Sequence, residues 1–331
     1  MIKSTQYRMT LIQILLISVS LIAVTSEALA SPSKRIALTL DDAPRGDGPI
    51  YSGAERTEVL IESLKSVDAS PVAFFVTTKN LKHDGNRKRI QRYASAGNLI
   101  ANHTHSHPWL SRVETDEYIA GIDKAEVLLD GFDNRRPWFR FPYLDEGSTL
   151  EKRDQVRESL AQRNLMNGYV TIDNYDWYIE DKWKEAVNQG KSVDMDALRS
   201  VYLKVMLSAV DFFEELAQNT LERSPAHVLL MHENDLAAIF IDDLITELRS
   251  KGWEIISPDE AYQDPIAKIL PKTLMANQGL VAALAVEAGT KPQALSHLAI
   301  EKELIDELLS EQKVFGEKNA QSAMIRMSNP H

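Results

Sequence analysis

The stretch "RIALTLDDAP" occupies residues 35–44. Its first six residues are a short apolar run, β-rich at its centre, and read as a buried strand. Two adjacent carboxylates, Asp41 and Asp42, end it. A turn accounts for one of them, because Asx side chains bond their own backbone. It accounts less well for two, since ionised neighbours raise each other's pKa unless a cation or a donor intervenes.

Outward from this strand the chain alternates. Helix-like "RTEVLIESLKS" (56–66) is followed by strand-like "VAFFVTT" (72–78), then helical "NRKRIQRYASAG" (86–97) and "NLIANH" (98–103). The same order continues through "ETDEYIAGIDKAEVLLDGF" (114–132), "RPWFRFP" (136–142), "GSTLEKRDQVRESLAQRN" (147–164) and "MNGYVTID" (166–173). A long amphipathic helix over 194–220, the strand "AHVLLMH" (226–232), a helix over 235–252 and the strand "WEIIS" (253–257) complete it. Repeated strand–helix units imply an α/β fold with a parallel sheet covered by helices, and seven or eight of them suggest a barrel, complete or distorted. In barrels the reactive residues sit at the C-terminal ends of strands. From about Pro265 the alternation stops: two helices flank a break at 289–292, and the residues after Phe315 read as frayed. The expected organisation is a leader over 1–30, a barrel over 31–264 and a helical C-terminal extension over 265–331.

The formal net charge of −11 and the lack of a basic stripe argue against a nucleic-acid partner. With no cysteine, disulfides, thiolate metal sites and a Cys nucleophile are excluded. At the N-terminus, Lys3 and Arg8 precede the apolar run at 10–24, and "ALA" follows at 28–30. This is the build of a secretory signal, with cleavage expected after Ala30. The run is shorter than the roughly 20 residues that span a bilayer. An exported chain, periplasmic or secreted and without a membrane span after cleavage, is expected; its oligomeric state is left open.

Each apolar strand brings a capable residue to the same end: Asp41 and Asp42, then His103 and His107 in "NHTHSHP", Arg140 in "FRFPY", Asp173, Asp176 and Trp177 in "TIDNYDW", and His232 in "LLMHEND". On a helical turn, His103 and His107 at i, i+4 would share a face and reach one ion. Alone, the pair reads equally as a surface histidine cluster. Two histidines and one carboxylate make a common hydrolytic zinc site. Asp42 can supply the carboxylate, which leaves Asp41 free to act as base on the metal-bound water. The paired acids then have separate tasks.

These stretches resemble, in order, the motifs of the polysaccharide deacetylases, carbohydrate esterase family 4: "TLDD", "HTHSH", "RFPY", "DNYDW" and "LLMH", over residues 34–262. The resemblance implies a distorted (β/α) barrel of about seven parallel strands. It implies that Asp42, His103 and His107 bind a divalent metal ion, usually zinc, and that Asp41 is the base, paired with Arg140. It implies further that the backbone N–H of Tyr143 helps hold the oxyanion, that Asp176 orients His232 as the acid, and that Trp177 and Leu230 line a pocket for the acetyl methyl. The implied reaction is removal of N-acetyl groups from sugar polymers such as peptidoglycan, chitin-like oligomers or an exopolysaccharide. Two other readings stand beside it: a non-catalytic carbohydrate-binding member, and a metal-dependent hydrolase of a small C–N substrate.

The chain departs from the family pattern at Leu144, where Gly often follows the Tyr, and in the first motif, where Leu40 precedes the acids and Ala43 follows them. After Trp177 the stretch 178–196 reads as a long loop carrying Trp183, either a cover for the groove or surface decoration. His105 reads as a group behind the ligands or facing solvent, and Asp235 as an N-cap.

Overall fold

The computed structural model describes residues 34–318, apart from 70 and 276. The leader over 1–30 lies outside the described residues, as does 319–331. In chain order the elements are β1 (Lys34–Ala43), α1 (Gly53–Ser66), β2 (Ala73–Val76), α2 (Asp84–Ser95), β3 (Leu99–Asn102), α3 (Thr115–Leu129), β4 (Arg135–Phe139) and α4 (Leu150–Gln162). They continue with β5 (Met166–Asn167), α5 (Asp176–Asn188), β6 (Lys191–Val193), α6 (Met195–Leu221), β7 (Ala226–His232), α7 (Asp235–Ser250), β8 (Trp253–Ile255) and α8 (Pro258–Ala261). After these come α9 (Leu280–Glu287), α10 (Lys302–Glu311) and β9 (Phe315–Lys318).

Strand β1 is the spine. Its run Ile36–Leu40 is buried, as expected for a parallel strand covered on both faces. It pairs with β7 from Arg35 opposite Ala226 to Asp41 opposite His232. Along its other edge β8 accompanies the first residues and β2 the last. The sheet then runs through β3 and β4 to β5, all parallel. The segment after β5 turns this sheet towards a ring. Gly168 N donates to Phe139 O at 2.7 Å on the β4 side, while Ile172 bridges Leu229 of β7. The result is the expected α/β barrel of about seven parallel strands, distorted where β5 is only two residues long.

Two expectations are corrected. Residues 178–196 are not a loop over the groove. They form most of α5, β6 and the start of α6, with Ile179, Trp183 and Ala186 of α5 buried. Those positions are i, i+4 and i+7, the spacing of one helix face; the many charges between them hide it. Of the residues after Phe315 expected to fray, 316–318 instead belong to β9, which pairs antiparallel with β6, and 319–331 lie outside the described residues. The C-terminal segment lies against the barrel: the buried Leu280–Ala285 of α9 pack on α6, and Leu280 N donates to Val170 O at 2.7 Å.

Because Trp183 is a buried core side chain rather than part of a mobile cover, Trp183→Ala is expected to cost about 3–5 kcal/mol. Urea unfolding followed by circular dichroism measures this; a cost below 1 kcal/mol would return Trp183 to the surface.

Candidate active site

The strand ends converge on a cavity of about 380 Å³, a size suited to a small ligand or one sugar unit. Its lining includes Asp41, Asp42, His103, His107, Tyr143, Trp177, Leu230 and His232. Arg140 and Asp176 stand behind this surface, fully buried.

Successive residues of a regular strand point to opposite faces. Asp41 and Asp42 would then diverge, but Asp42 has φ 67° and breaks the alternation, so both carboxylates line the cavity. Asp41 keeps its strand position beside His232, and Arg140 Nη1 donates to Asp41 Oδ1 at 2.6 Å. The same guanidinium donates to Thr39 Oγ1, the Gly168 carbonyl and Tyr262 OH at 2.7–2.9 Å, and lies over the Phe75 ring.

His103 and His107 meet, but not on a helical turn. Thr104 and His107 have φ 67° and 59°, and the bend is held by Thr104 N donating to Asn102 Oδ1 and His107 N donating to Thr104 Oγ1. The two Nε2 atoms lie 3.2 Å apart, with Asp42 Oδ1 3.0 Å from that of His107 and 3.7 Å from that of His103. His103 Nδ1 sits 2.9 Å from the Arg140 carbonyl, so Nδ1–H donates there and the Nε2 lone pair faces Asp42. Burial pulls the His103 imidazole down to about 4, which keeps it neutral. Burial works to raise Asp42, but the His107 hydrogen bond, with the His107 and His232 charges behind it, holds it well below the usual carboxylate range. Two imidazoles and a carboxylate, each offering a ligand atom within 4.8 Å of the others, fit a divalent cation with a hydrolytic donor set. His105 turns away to Thr78 Oγ1, at 3.0 Å.

Across the cavity, Asp176 accepts from the His232 backbone N–H and lies 2.6 Å from His232 Nδ1. Burial alone would lower the imidazole; the Asp176 charge and hydrogen bond carry it up to about 8. Nδ1 is thereby committed and Nε2 is left to act. Tyr143 has φ 58° in a tight turn; its ring stacks on Trp109 and meets His107 edge-on. Leu144, with φ 52°, packs with Val170 and Leu230 as an apolar wall.

Sequence reasoning missed several residues of this cavity: Arg45, Trp109, Asn174, Tyr175 and Asn277. Arg45 and Trp109 each lie within three residues of a strand-end motif, which was a usable signal. Asn277 comes from the C-terminal segment and had none. That segment is tied to the cavity wall by Gly279, whose added Cβ would stand 2.6 Å from Val170 O, and by Tyr175 N donating to Ala299 O at 2.8 Å. Asp173, one of the strand-end residues read from the sequence, lines the cavity too, and burial drives its carboxyl up to about 7. Asp235 is not the N-cap of α7: Asn234 is, and Asp235 pairs with Arg56 at 3.0 Å.

The family model described as polysaccharide deacetylase matches residues 29–163. The chain is 34% identical over 235 residues to a peptidoglycan-N-acetylglucosamine deacetylase of Bacillus cereus, covering 69% of this chain and 68% of that one. It is 26% identical over 163 residues to a peptidoglycan-N-acetylmuramic acid deacetylase of Bacillus subtilis, covering 49% of this chain and only 31% of that one. A solved polysaccharide deacetylase from Bacillus cereus overlays with a TM-score of 0.48 at 21% identity, covering 68% of this chain and 91% of that one.

The Arg140 geometry has a thermodynamic consequence. Arg140→Met would leave Asp41 buried without its partner and is expected to cost about 3–5 kcal/mol in chemical denaturation. A loss below 1 kcal/mol would mean that the pair does not organise this end of the barrel.

Proposed function

The chain belongs to the polysaccharide deacetylase family, hydrolases of non-peptide carbon–nitrogen bonds, and from that premise we propose an exported, divalent-cation-dependent enzyme that deacetylates N-acetylated sugars of a cell-wall polymer. The observation that carries the proposal is one cavity holding a compact Asp42–His103–His107 donor set, with Asp41 beside it and the Asp176–His232 pair at the end of the neighbouring strand. Peptidoglycan is the proposed polymer, because the relatives named above act on its two amino sugars. Those sugars share the N-acetyl group; muramic acid adds a carboxylate. Export rests on the leader-like residues 1–30. Among the described residues no helix is long and apolar enough to cross a membrane.

A cation held by Asp42, His103 and His107, zinc by the character of the donors, would polarise the acyl oxygen and acidify the attacking water. The remaining work belongs to the chain. Asp41 takes the proton from that water; Arg140 occupies its Oδ1 and leaves Oδ2 for the transfer. The Tyr143 backbone N–H donates to the oxygen on which negative charge develops. His232, held charged by Asp176, delivers a proton from Nε2 to the departing nitrogen. Trp177 and Leu230 bracket the methyl group.

The direct test is acetate release from peptidoglycan fragments and N-acetylglucosamine oligomers by the purified protein, before and after chelation and zinc return. Acetate that vanishes with chelator and returns with zinc supports the reading; none under any condition sinks it. Asp41→Asn is expected to retain bound zinc by elemental analysis while losing at least about 100-fold in kcat, whereas His107→Ala loses both. Equal metal loss in the two variants would overturn the division of labour between ligand and base.

A pH profile tests the acid. Since His232 must be protonated to act, kcat/KM is expected to fall as pH rises through about 8. Asp176→Asn removes the charge that opposes burial, so the falling limb should move to lower pH. An unmoved limb would show that another group sets it.

A further inference from the structure

Among the described charged groups at the cavity, Arg45 feels the charges of Asp176 and Glu180 but has no side-chain hydrogen bond or ion pair with either. Asp41 is taken by Arg140, Asp42 by His107 and Asp176 by His232. Asp173 is pushed by burial towards its neutral form. Arg45 lines the same cavity, yet among the described residues its guanidinium makes no hydrogen bond or ion pair, and its Nη1 is buried without an acceptor. An unsatisfied guanidinium N–H is costly to keep and is most simply explained by an acceptor that arrives with a ligand.

The backbone around Arg45 is built to hold it there. Its N–H donates to Glu233 Oε2 at 2.7 Å, and its carbonyl accepts from Arg56 Nη2 and Arg89 Nη1 at 3.0 and 2.8 Å. Glu233 is fully buried, bonded to Arg56, Arg89 and Tyr93, and directly follows His232. A few residues on, Gly48 sits so close to Asp235 that a Cβ would stand 2.2 Å from its Oδ1, and Ile50 and Tyr51 donate to that carboxylate at 3.0 Å. Arg45 thus stands on a clamped loop three residues after Asp42. Its fork suits a carboxylate, with two parallel N–H donors in a fixed plane.

We propose that Arg45 binds a carboxylate of the substrate, so that the cavity favours acidic over neutral sugar units. The proposal rests on the deacetylase reading and names the substrate class more narrowly. The shared chemistry is a sugar carboxylate, borne either as the ether-linked acid of muramic acid or by a uronic acid in the adjoining unit.

The test uses the zinc-loaded full chain and substrates that differ only in this charge: a disaccharide of N-acetylglucosamine with N-acetylmuramic acid, the same with glucuronic acid, and the methyl ester of each. Acetate release should give an acid-to-ester ratio in kcat/KM of about 10- to 100-fold for at least one pair, and the pair with the larger ratio identifies the source. Arg45→Gln should bring that ratio close to one, and Arg45→Lys should keep part of it, with circular dichroism confirming that both variants fold. The proposal is overturned by a wild-type ratio near one. It is equally overturned by a ratio unchanged in Arg45→Gln, including the case in which acid and ester rates fall together. If no substrate releases acetate, the deacetylase reading fails on its own. Calorimetric titration with the same acid–ester pairs then decides Arg45: an affinity difference that Arg45→Gln abolishes upholds its role, and its absence refutes it.

Discussion

A single buried guanidinium organises the mouth of this barrel. Arg140 arises at the end of β4 and reaches Thr39 and Asp41 in β1, the Gly168 carbonyl in the closing segment, Tyr262 after α8 and the face of Phe75 in β2. A charge without water must find acceptors from the chain, because the desolvation cost is otherwise prohibitive. Each neighbour therefore presents an oxygen or a ring. The Arg140 carbonyl meanwhile orients His103 through Nδ1. Side chain and main chain of one residue set both the carboxylate proposed as base and one of the proposed ligands.

Around that centre, left-handed backbone does what strand geometry forbids. Asp42, Thr104, His107, Tyr143 and Leu144 all have positive φ without being glycine. Such residues cost roughly 1–3 kcal/mol each and persist only where the surroundings hold them. Here they lie within two short turns and the end of β1, at the C-terminal ends of β1, β3 and β4. The strain turns three extended segments inward, where plain strands would have continued past one another.

The strand–helix alternation, the barrel and the polar strand ends could be read directly, because parallel buried strands leave continuous apolar runs and their polar termini stand out. Asp41, His103, Arg140 and His232 were visible for that reason. What could not be read was conformation without a periodic signature. The i, i+4 spacing of His103 and His107 suggested a helical turn, while the chain reaches the same proximity through a bend at Thr104. Helix α5 was hidden by its own charges, although Ile179, Trp183 and Ala186 keep helical spacing. Asn277 was beyond reach, since its approach to the cavity depends on a contact between Gly279 and Val170, more than a hundred residues apart in the chain.

Leu144 shows how such a site can be pulled in two directions. Its backbone occupies a region where glycine would sit at ease, yet its side chain closes a wall with Val170 and Leu230. A chain with glycine there would have a relaxed turn and a wider opening. Backbone comfort and cavity shape thus make opposing demands on one position. Replacing this side chain would open the recess while leaving the carboxylates and imidazoles where they are, and so would change what fits before it changed what reacts.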